Sequence, residues 1–169
     1  MRRSRRTQRT RTALVAGGAG FLGSHLCEKL LRAGCRVICV DNFLTGRMEN
    51  IVSLLDSPRF RLIEQDICRP LDLAEPVDRI FNLACAASPP RYQADPIHAT
   101  RTCVIGTLNL LELAARDNAR FLQASTSEVY DDPEQHPQRE DYVGHVNCTG
   151  PRACYDEASE PPKPCASTI

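Results

Sequence analysis

The residues best suited to chemistry stand near the start of the chain, in Val15-Ala16-Gly17-Gly18-Ala19-Gly20-Phe21-Leu22-Gly23, with Asp41 closing the next apolar run. Gly18, Gly20 and Gly23 fit a G-x-G-x-x-G spacing, and Gly17, Gly20 and Gly23 the wider G-x-x-G-x-x-G. Glycine lets such a turn bend tightly, brings its backbone close to a pyrophosphate and packs helix on strand without an intervening Cβ. The helix N-terminus then offers unpaired N–H groups to the phosphates. A carboxylate at Asp41 accepts from a free ribose 2′-hydroxyl and repels a 2′-phosphate, which favours NAD over NADP. A second polar run, Ser125-Thr126-Ser127-Glu128-Val129-Tyr130, follows the apolar segment Phe121-Leu122-Gln123-Ala124. Hydroxyls and a carboxylate at the C-terminal end of a strand stand where open α/β sheets take ligands. The plainer expectation is that these hydroxyls merely cap the next turn.

The elements that must position these groups follow from periodicity. Ala13-Leu14-Val15-Ala16 reads as a strand, and Phe21, Leu22, Leu26, Leu30 and Leu31 mark a helix that Gly34 ends. Cys35 to Asp41 reads as a second strand. Asn42 to Asn50 is polar and glycine-broken, and Ile51 to Leu55 predicts a short helical turn that Pro58 stops. Phe60 to Ile63 predicts a third strand that delivers Asp66 and Ile67 to the sheet edge, within reach of an adenine ring. Val77 to Ala84 predicts a fourth, followed by the small residues Ala84 to Ala87, which leave room for a ligand. Pro96 to about Ala115 predicts the longest helix, apolar on more than one face and so suited to pack on the sheet and on a second subunit. Phe121 to Ala124 predicts the fifth strand. The alternation predicts an α/β, Rossmann-like, doubly wound parallel sheet, incomplete at its C-terminal side.

The 169 residues are 42% hydrophobic and carry 21 basic and 21 acidic side chains, so one domain with a real core is expected and no net field draws it to nucleic acid or membrane. Six arginines crowd residues 1–11, where a basic disordered arm is expected. No apolar run is long enough to span a bilayer and no secretory signal follows the arginines, which suggests a cytoplasmic protein. Nine cysteines contain no C-x-x-C pair; Cys27, Cys35, Cys39, Cys68 and Cys85 are expected as small buried hydrophobes in a reducing compartment. Cys35 and Cys39 lack a second ligand pair, so no metal site is expected.

Further along, Asp41-Asn42-Phe43-Leu44-Thr45-Gly46-Arg47, Asn82-Leu83-Ala84-Cys85-Ala86-Ala87-Ser88-Pro89, the run Ala124 to Tyr130, His136-Pro137-Gln138 and Gly150-Pro151-Arg152-Ala153-Cys154-Tyr155-Asp156-Glu157 join the glycine turn in a wider pattern. Together these stretches resemble the extended short-chain dehydrogenase/reductases that act on nucleotide sugars, closest to their UDP-glucuronate decarboxylase branch. The resemblance implies oxidation of a UDP-sugar at C4 by NAD, loss of the carboxyl group β to the resulting ketone, and return of hydride to give UDP-xylose. It places Tyr155 as the base on the 4-hydroxyl, Thr126 as a hydrogen-bond partner of the reacting oxygen and Glu128 near the sugar. Cofactor contacts carry over to Gly17, Gly20, Phe21, Leu22, Gly23, Asp41, Asn42, Phe43, Thr45, Gly46, Asp66, Ile67, Leu83, Ala84 and Tyr155. The alternatives are another nucleotide-sugar epimerase or dehydratase, or a non-catalytic NAD-binding module. A homodimer through the 96–115 helix is expected.

The chain departs from this family pattern in several places. Ser159 stands where Tyr-x-x-x-Lys requires the lysine that lowers the tyrosine pKa, Cys103 where Asn is common and Asp131 where Gly is common. The resemblance covers about the first half of a family member. The expected organisation is therefore a dinucleotide domain over 12–158 and an unrelated tail over 159–169, in a truncated and inactive form prone to aggregate at its uncovered sheet edge. One base inserted within the Ala158 codon, with suitable codons, restores both the lysine and a helical pattern, so the tail is expected to arise from a frameshift.

Overall fold

The computed structural model describes residues 9–130, 133–145 and 149. Five parallel strands, β1 (Thr12–Ala16), β2 (Arg36–Asp41), β3 (Phe60–Glu64), β4 (Arg79–Asn82) and β5 (Arg120–Gln123), form one sheet in the order β3-β2-β1-β4-β5. All five fall where the sequence predicts strands. In register, Val15 lies beside Cys39 on one side and Phe81 on the other.

β1 is buried along its whole length because both faces of the sheet are covered. Ala13, Val15, Val37 and Cys39 pack on one face against Cys27, Leu30 and Leu31 of helix α1 (Phe21–Arg32). Leu14, Ala16, Ile38 and Ile80 pack on the other against Leu110, Leu113 and Ala114 of helix α4 (Thr107–Asp117). This alternation with a period of two divides the core into two layers, the doubly wound arrangement expected.

The predicted long helix is built in pieces. After the short α2 (Pro89–Tyr92), α3 (Pro96–Arg101) begins at Pro96, with the Asp95 carboxylate accepting the His98 N–H at 2.9 Å. A π-helical turn over Thr102–Gly106 then leads into α4. At Gly106, the last residue of that turn, a Cβ would come within 2.5 Å of the Ile67 side chain, so the helix is packed directly on that residue. α4 runs to Asp117 and ends on Asn118 in the left-handed conformation. Between β2 and β3 the chain makes two 3-10 turns, Met48–Asn50 and Val52–Leu54, the second within the helical turn predicted over Ile51 to Leu55.

Of the basic arm, residues 1–8 lie outside the described residues. Arg9 pairs with Asp78 at 2.9 Å and the Arg11 carbonyl accepts the Arg36 N–H, so ordered chain begins before Thr12. The tail over 159–169 also lies outside the described residues.

Candidate functional site

The strand order reverses between β1 and β4: the chain winds outward from β1 through β2 and β3, then returns to pair β4 on β1's other side. Open α/β sheets bind ligands in the crevice at such a switch, outside the carboxyl ends of the strands. The glycine turn sits there. Gly17 has φ +74°, and a Cβ on it would lie 2.7 Å from the Leu83 carbonyl oxygen at the end of β4. A Cβ on Gly23 would lie 2.1 Å from the Gly17 carbonyl oxygen, so α1 approaches the turn as closely as backbone permits. At Gly20 a Cβ would meet only the Gly17 oxygen, at 3.2 Å, so this face of the turn is open.

Gly20 supplies no side-chain cap to α1, and the first turn holds no acidic residue. The N–H groups of Phe21, Leu22 and Gly23 have no intrahelical acceptor, because a helix leaves its first donors unpaired. Phe21 and Leu22 are themselves exposed. This combination fits a pyrophosphate by the chemistry of its donors.

Asp41 is only 8% exposed. Its Oδ2 accepts the Ala19 N–H at 2.8 Å and its Oδ1 the Phe43 N–H at 2.9 Å. The loop after β2 is folded over it, with Gly46 so close that a Cβ there would lie 2.7 Å from Oδ1. Phe43 is held at φ +56°, a conformation that non-glycine residues seldom adopt and that the Asp41 hydrogen bond helps to hold. Asp41 therefore clamps the glycine turn to the β2 loop, a structural duty that spacing did not reveal. Each of its oxygens keeps a further lone pair for a ribose hydroxyl. Thr45 and Asn42 are exposed on the same loop.

Asn42 donates through Nδ2 to Asp66 Oδ2 at 2.9 Å, which links the ends of β2 and β3. Asp66 also contacts His98 Nε2 at 2.6 Å and accepts the Cys68 N–H at 2.8 Å. Partial burial disfavours the Asp66 charge, but hydrogen bonds from the Cys68 backbone, His98, the Cys68 thiol and Asn42 outweigh it and hold the carboxyl well below the usual carboxylate range. Beside Asp66 lies an open depression of about 500 Å³, lined by Asn42, Glu64, Gln65, Asp66, Arg69 and Pro70. Ile67 is sealed beneath Gly106, and its carbonyl accepts from Asn109 Nδ2 at 2.8 Å. Its side chain thus belongs to the core.

Thr126 and Glu128 follow β5, which β4 separates from the glycine turn. The Thr126 hydroxyl accepts the Glu128 N–H at 3.3 Å and so caps the 3-10 turn Ser127–Tyr130. Both side chains are half-buried. Tyr155 and Ser159 lie outside the described residues.

Two features escaped sequence reasoning. Asn82, 1% exposed at the end of β4, donates to Thr107 Oγ1 at 3.1 Å and Gln123 Oε1 at 2.8 Å, and accepts the Ala84 N–H at 3.2 Å. It ties β4 to β5 and α4 where Leu83 and Ala84 meet the glycine turn. The Asp66–His98 pair joins residues 32 positions apart, which no local motif signals. The cysteines need a partial correction: Cys27, Cys35, Cys39 and Cys103 are buried, but Cys68 and Cys85 are partly exposed, because both fall in the turns beyond β3 and β4. A hydrogen bond with Cys27 and burial push the Cys39 thiol far up, keeping it inert.

A glycine turn at the switch point of a parallel, doubly wound sheet defines a nucleotide-binding protein of the Rossmann type. The sequence matches the GDP-mannose 4,6 dehydratase family over residues 14–159, and the chain belongs to that family. It is 56% identical over 144 residues to UDP-glucuronic acid decarboxylase 1 of Arabidopsis thaliana, covering 85% of this chain and 33% of that protein. It is 51% identical over 158 residues to UDP-glucuronic acid decarboxylase 3 of the same plant, covering 93% and 46%. Among solved structures, DesIV, a dTDP-glucose 4,6-dehydratase from Streptomyces venezuelae with NAD and TYD bound, superposes with a TM-score of 0.76 at 31% identity, over 88% of this chain and 49% of that one. The chain thus spans between a third and a half of the length of these relatives. No helix of the described residues is long and apolar enough to cross a membrane.

Proposed function

We propose that this chain is the NAD-binding part of a UDP-glucuronate decarboxylase. The observation that carries the reading is the uncapped α1 N-terminus at the switch point, with Gly17 and Gly23 in backbone contact around it. Phe21, Leu22 and Gly23 meet the pyrophosphate, Asp41 and the loop through Gly46 the adenosine ribose, Asp66 the adenine end, and Leu83 and Ala84 the inner face of the cofactor. NAD supplies a reversible hydride acceptor at C4 of the sugar, and the ketone so formed lets the β-carboxyl leave as carbon dioxide. Thr126 orients the reacting oxygen, Glu128 lies near the sugar and Tyr155 takes the hydroxyl proton. Ser159 stands in place of the motif's lysine, so the positive charge that would favour the Tyr155 phenolate is missing from the motif. The chain therefore binds NAD and turns over UDP-glucuronate poorly or not at all.

A second copy of the chain fits the exposed apolar side chains Ile97, Val104, Ile105 and Leu108 along α3 to α4. The buried thiols of Cys27, Cys35 and Cys39 suit a reducing cytoplasm. Isothermal titration with NAD+, NADH and NADP+ tests the cofactor reading. NAD+ and NADH are expected to bind and NADP+ much more weakly; a folded sample that binds none of them refutes it. Release of labelled carbon dioxide from UDP-glucuronate at family rates would overturn the inactivity.

A further inference from the structure

The turn after β3 and the first turn of α3 bring three unlike donors together: a carboxylate oxygen of Asp66, the sulfur of Cys68 and a ring nitrogen of His98 all lie within 4.8 Å of one another. Oxygen donors alone would suit magnesium or calcium; a thiolate and an imidazole beside one carboxylate suit zinc or cobalt. A tetrahedral zinc with bonds of about 2.0–2.3 Å has ligand–ligand edges of about 3.2–3.8 Å, so small side-chain rotations bring these donors to coordination distance.

We propose that Asp66, Cys68 and His98 form a binding site for a zinc-class divalent cation, with its fourth position left to water. Outer hydrogen bonds of the kind that steady metal ligands are already in place. The Cys68 N–H binds Asp66 Oδ1 at 2.8 Å, Asn42 Nδ2 binds Asp66 Oδ2 at 2.9 Å, and Thr102 Oγ1 lies 3.7 Å from Cys68 Sγ. Partial burial and the Asp66 carboxylate push the free Cys68 thiol up to about 11. Loading therefore releases one proton from Cys68, and the His98 ring nitrogen that faces Asp66 coordinates without its proton, which resides on the other nitrogen. Carboxylate and thiolate together balance the two charges of the cation. All three side chains are partly exposed, so the cation reaches them from solvent.

The site goes beyond the cofactor reading but shares Asp66 with it, so cation and dinucleotide contend for one carboxylate. The test is titration of Co2+ into the full chain with thiols reduced under anaerobic conditions, read by the thiolate-to-cobalt charge-transfer absorption in the near ultraviolet. One equivalent is expected to raise the band and one equivalent of Zn2+ to remove it. Cys68→Ser should abolish the band, and His98→Ala and Asp66→Asn should each weaken binding at least tenfold, with folding checked by circular dichroism. Cys85→Ser and Cys103→Ser should leave it intact; their sulfurs lie 3.0 Å apart and are the competing soft-donor pair. No band in the wild-type chain, or a band that survives Cys68→Ser, overturns the site. NAD titration in chelator is read separately. A cobalt band without dinucleotide binding removes the cofactor reading alone, and dinucleotide binding without a band removes the cation site alone.

Discussion

The two sides of the sheet are built differently. β1 is buried throughout and β2 everywhere but Arg36, whereas β5, which with β3 edges the sheet among the described residues, alternates exposed and half-buried positions and leaves Leu122 half exposed. The glycine turn is held by backbone contacts, by the buried Asp41 carboxylate and by Asn50, whose Nδ2 donates to the Ala19 carbonyl at 2.7 Å. The side that carries Thr126 and Glu128 is held by one buried side-chain network at Asn82 and by a local turn cap. A turn seated by close backbone approach is fixed by the fold of the sheet itself; a turn seated by side chains depends on what else packs against it.

The sharpest way to break this contrast is at Gly23. Gly23→Ala places a methyl into the Gly17 carbonyl, and overpacking of this kind costs about 1–3 kcal/mol. Thermal melting should show that loss, and titration should show no NAD binding. Gly20→Ala meets only one atom at 3.2 Å, so the fold should survive while dinucleotide affinity falls. If both variants bind NAD as the wild type does, the cradle is not where the ligand sits.

On the other side, Asn82→Ala strands the Thr107 hydroxyl and the Gln123 amide beside the core. Leaving buried partners unsatisfied costs about 1–3 kcal/mol, measurable as a lower denaturant midpoint. Hydrogen exchange should then accelerate in β5 more than in β1 or β2. Uniform acceleration would mean that the sheet opens as one unit and the two sides are equally integrated.

Much of this division was legible in the sequence. Alternating apolar residues and the glycine spacing placed all five strands, because strand periodicity and tight turns are local properties. Pro96 marked the start of α3 for the same reason, whereas the Asp95 cap came only from the structure. The π turn was not legible, and neither was the packing of Gly106 on Ile67, a contact made only once the sheet has formed. Neither was the work of Asp41, which spacing marks as a ribose ligand while the fold also spends it on Ala19 and Phe43. The Asp66–His98 pair, drawn from two separate connections, had no signal at all.

That pair gives a pH-dependent prediction of intermediate size. The folded-state pKa of Asp66 is depressed, so its contribution to stability is complete above the ordinary carboxylate value near 4 and is lost as pH falls below it. Melting temperatures measured down the acid range should therefore fall more steeply for the wild-type chain than for Asp66→Asn. Parallel curves would show that Asp66 is not held in its charged form.

The smallest effect sharpens the comparison most. Thr126→Val deletes the hydroxyl that caps the Ser127–Tyr130 turn while keeping the side chain's shape. The bond is long, at 3.3 Å, and only half-buried, so its loss should cost about 0.5 kcal/mol in a denaturant melt. NAD affinity should be unchanged, because β4 stands between this turn and the cradle. A large loss of stability would mean that Thr126 holds more of the structure than its one capping bond. A loss of NAD affinity without a loss of stability would mean that the two ends of the site are coupled through β4, and the division between a self-sufficient cradle and a dependent substrate end would fail.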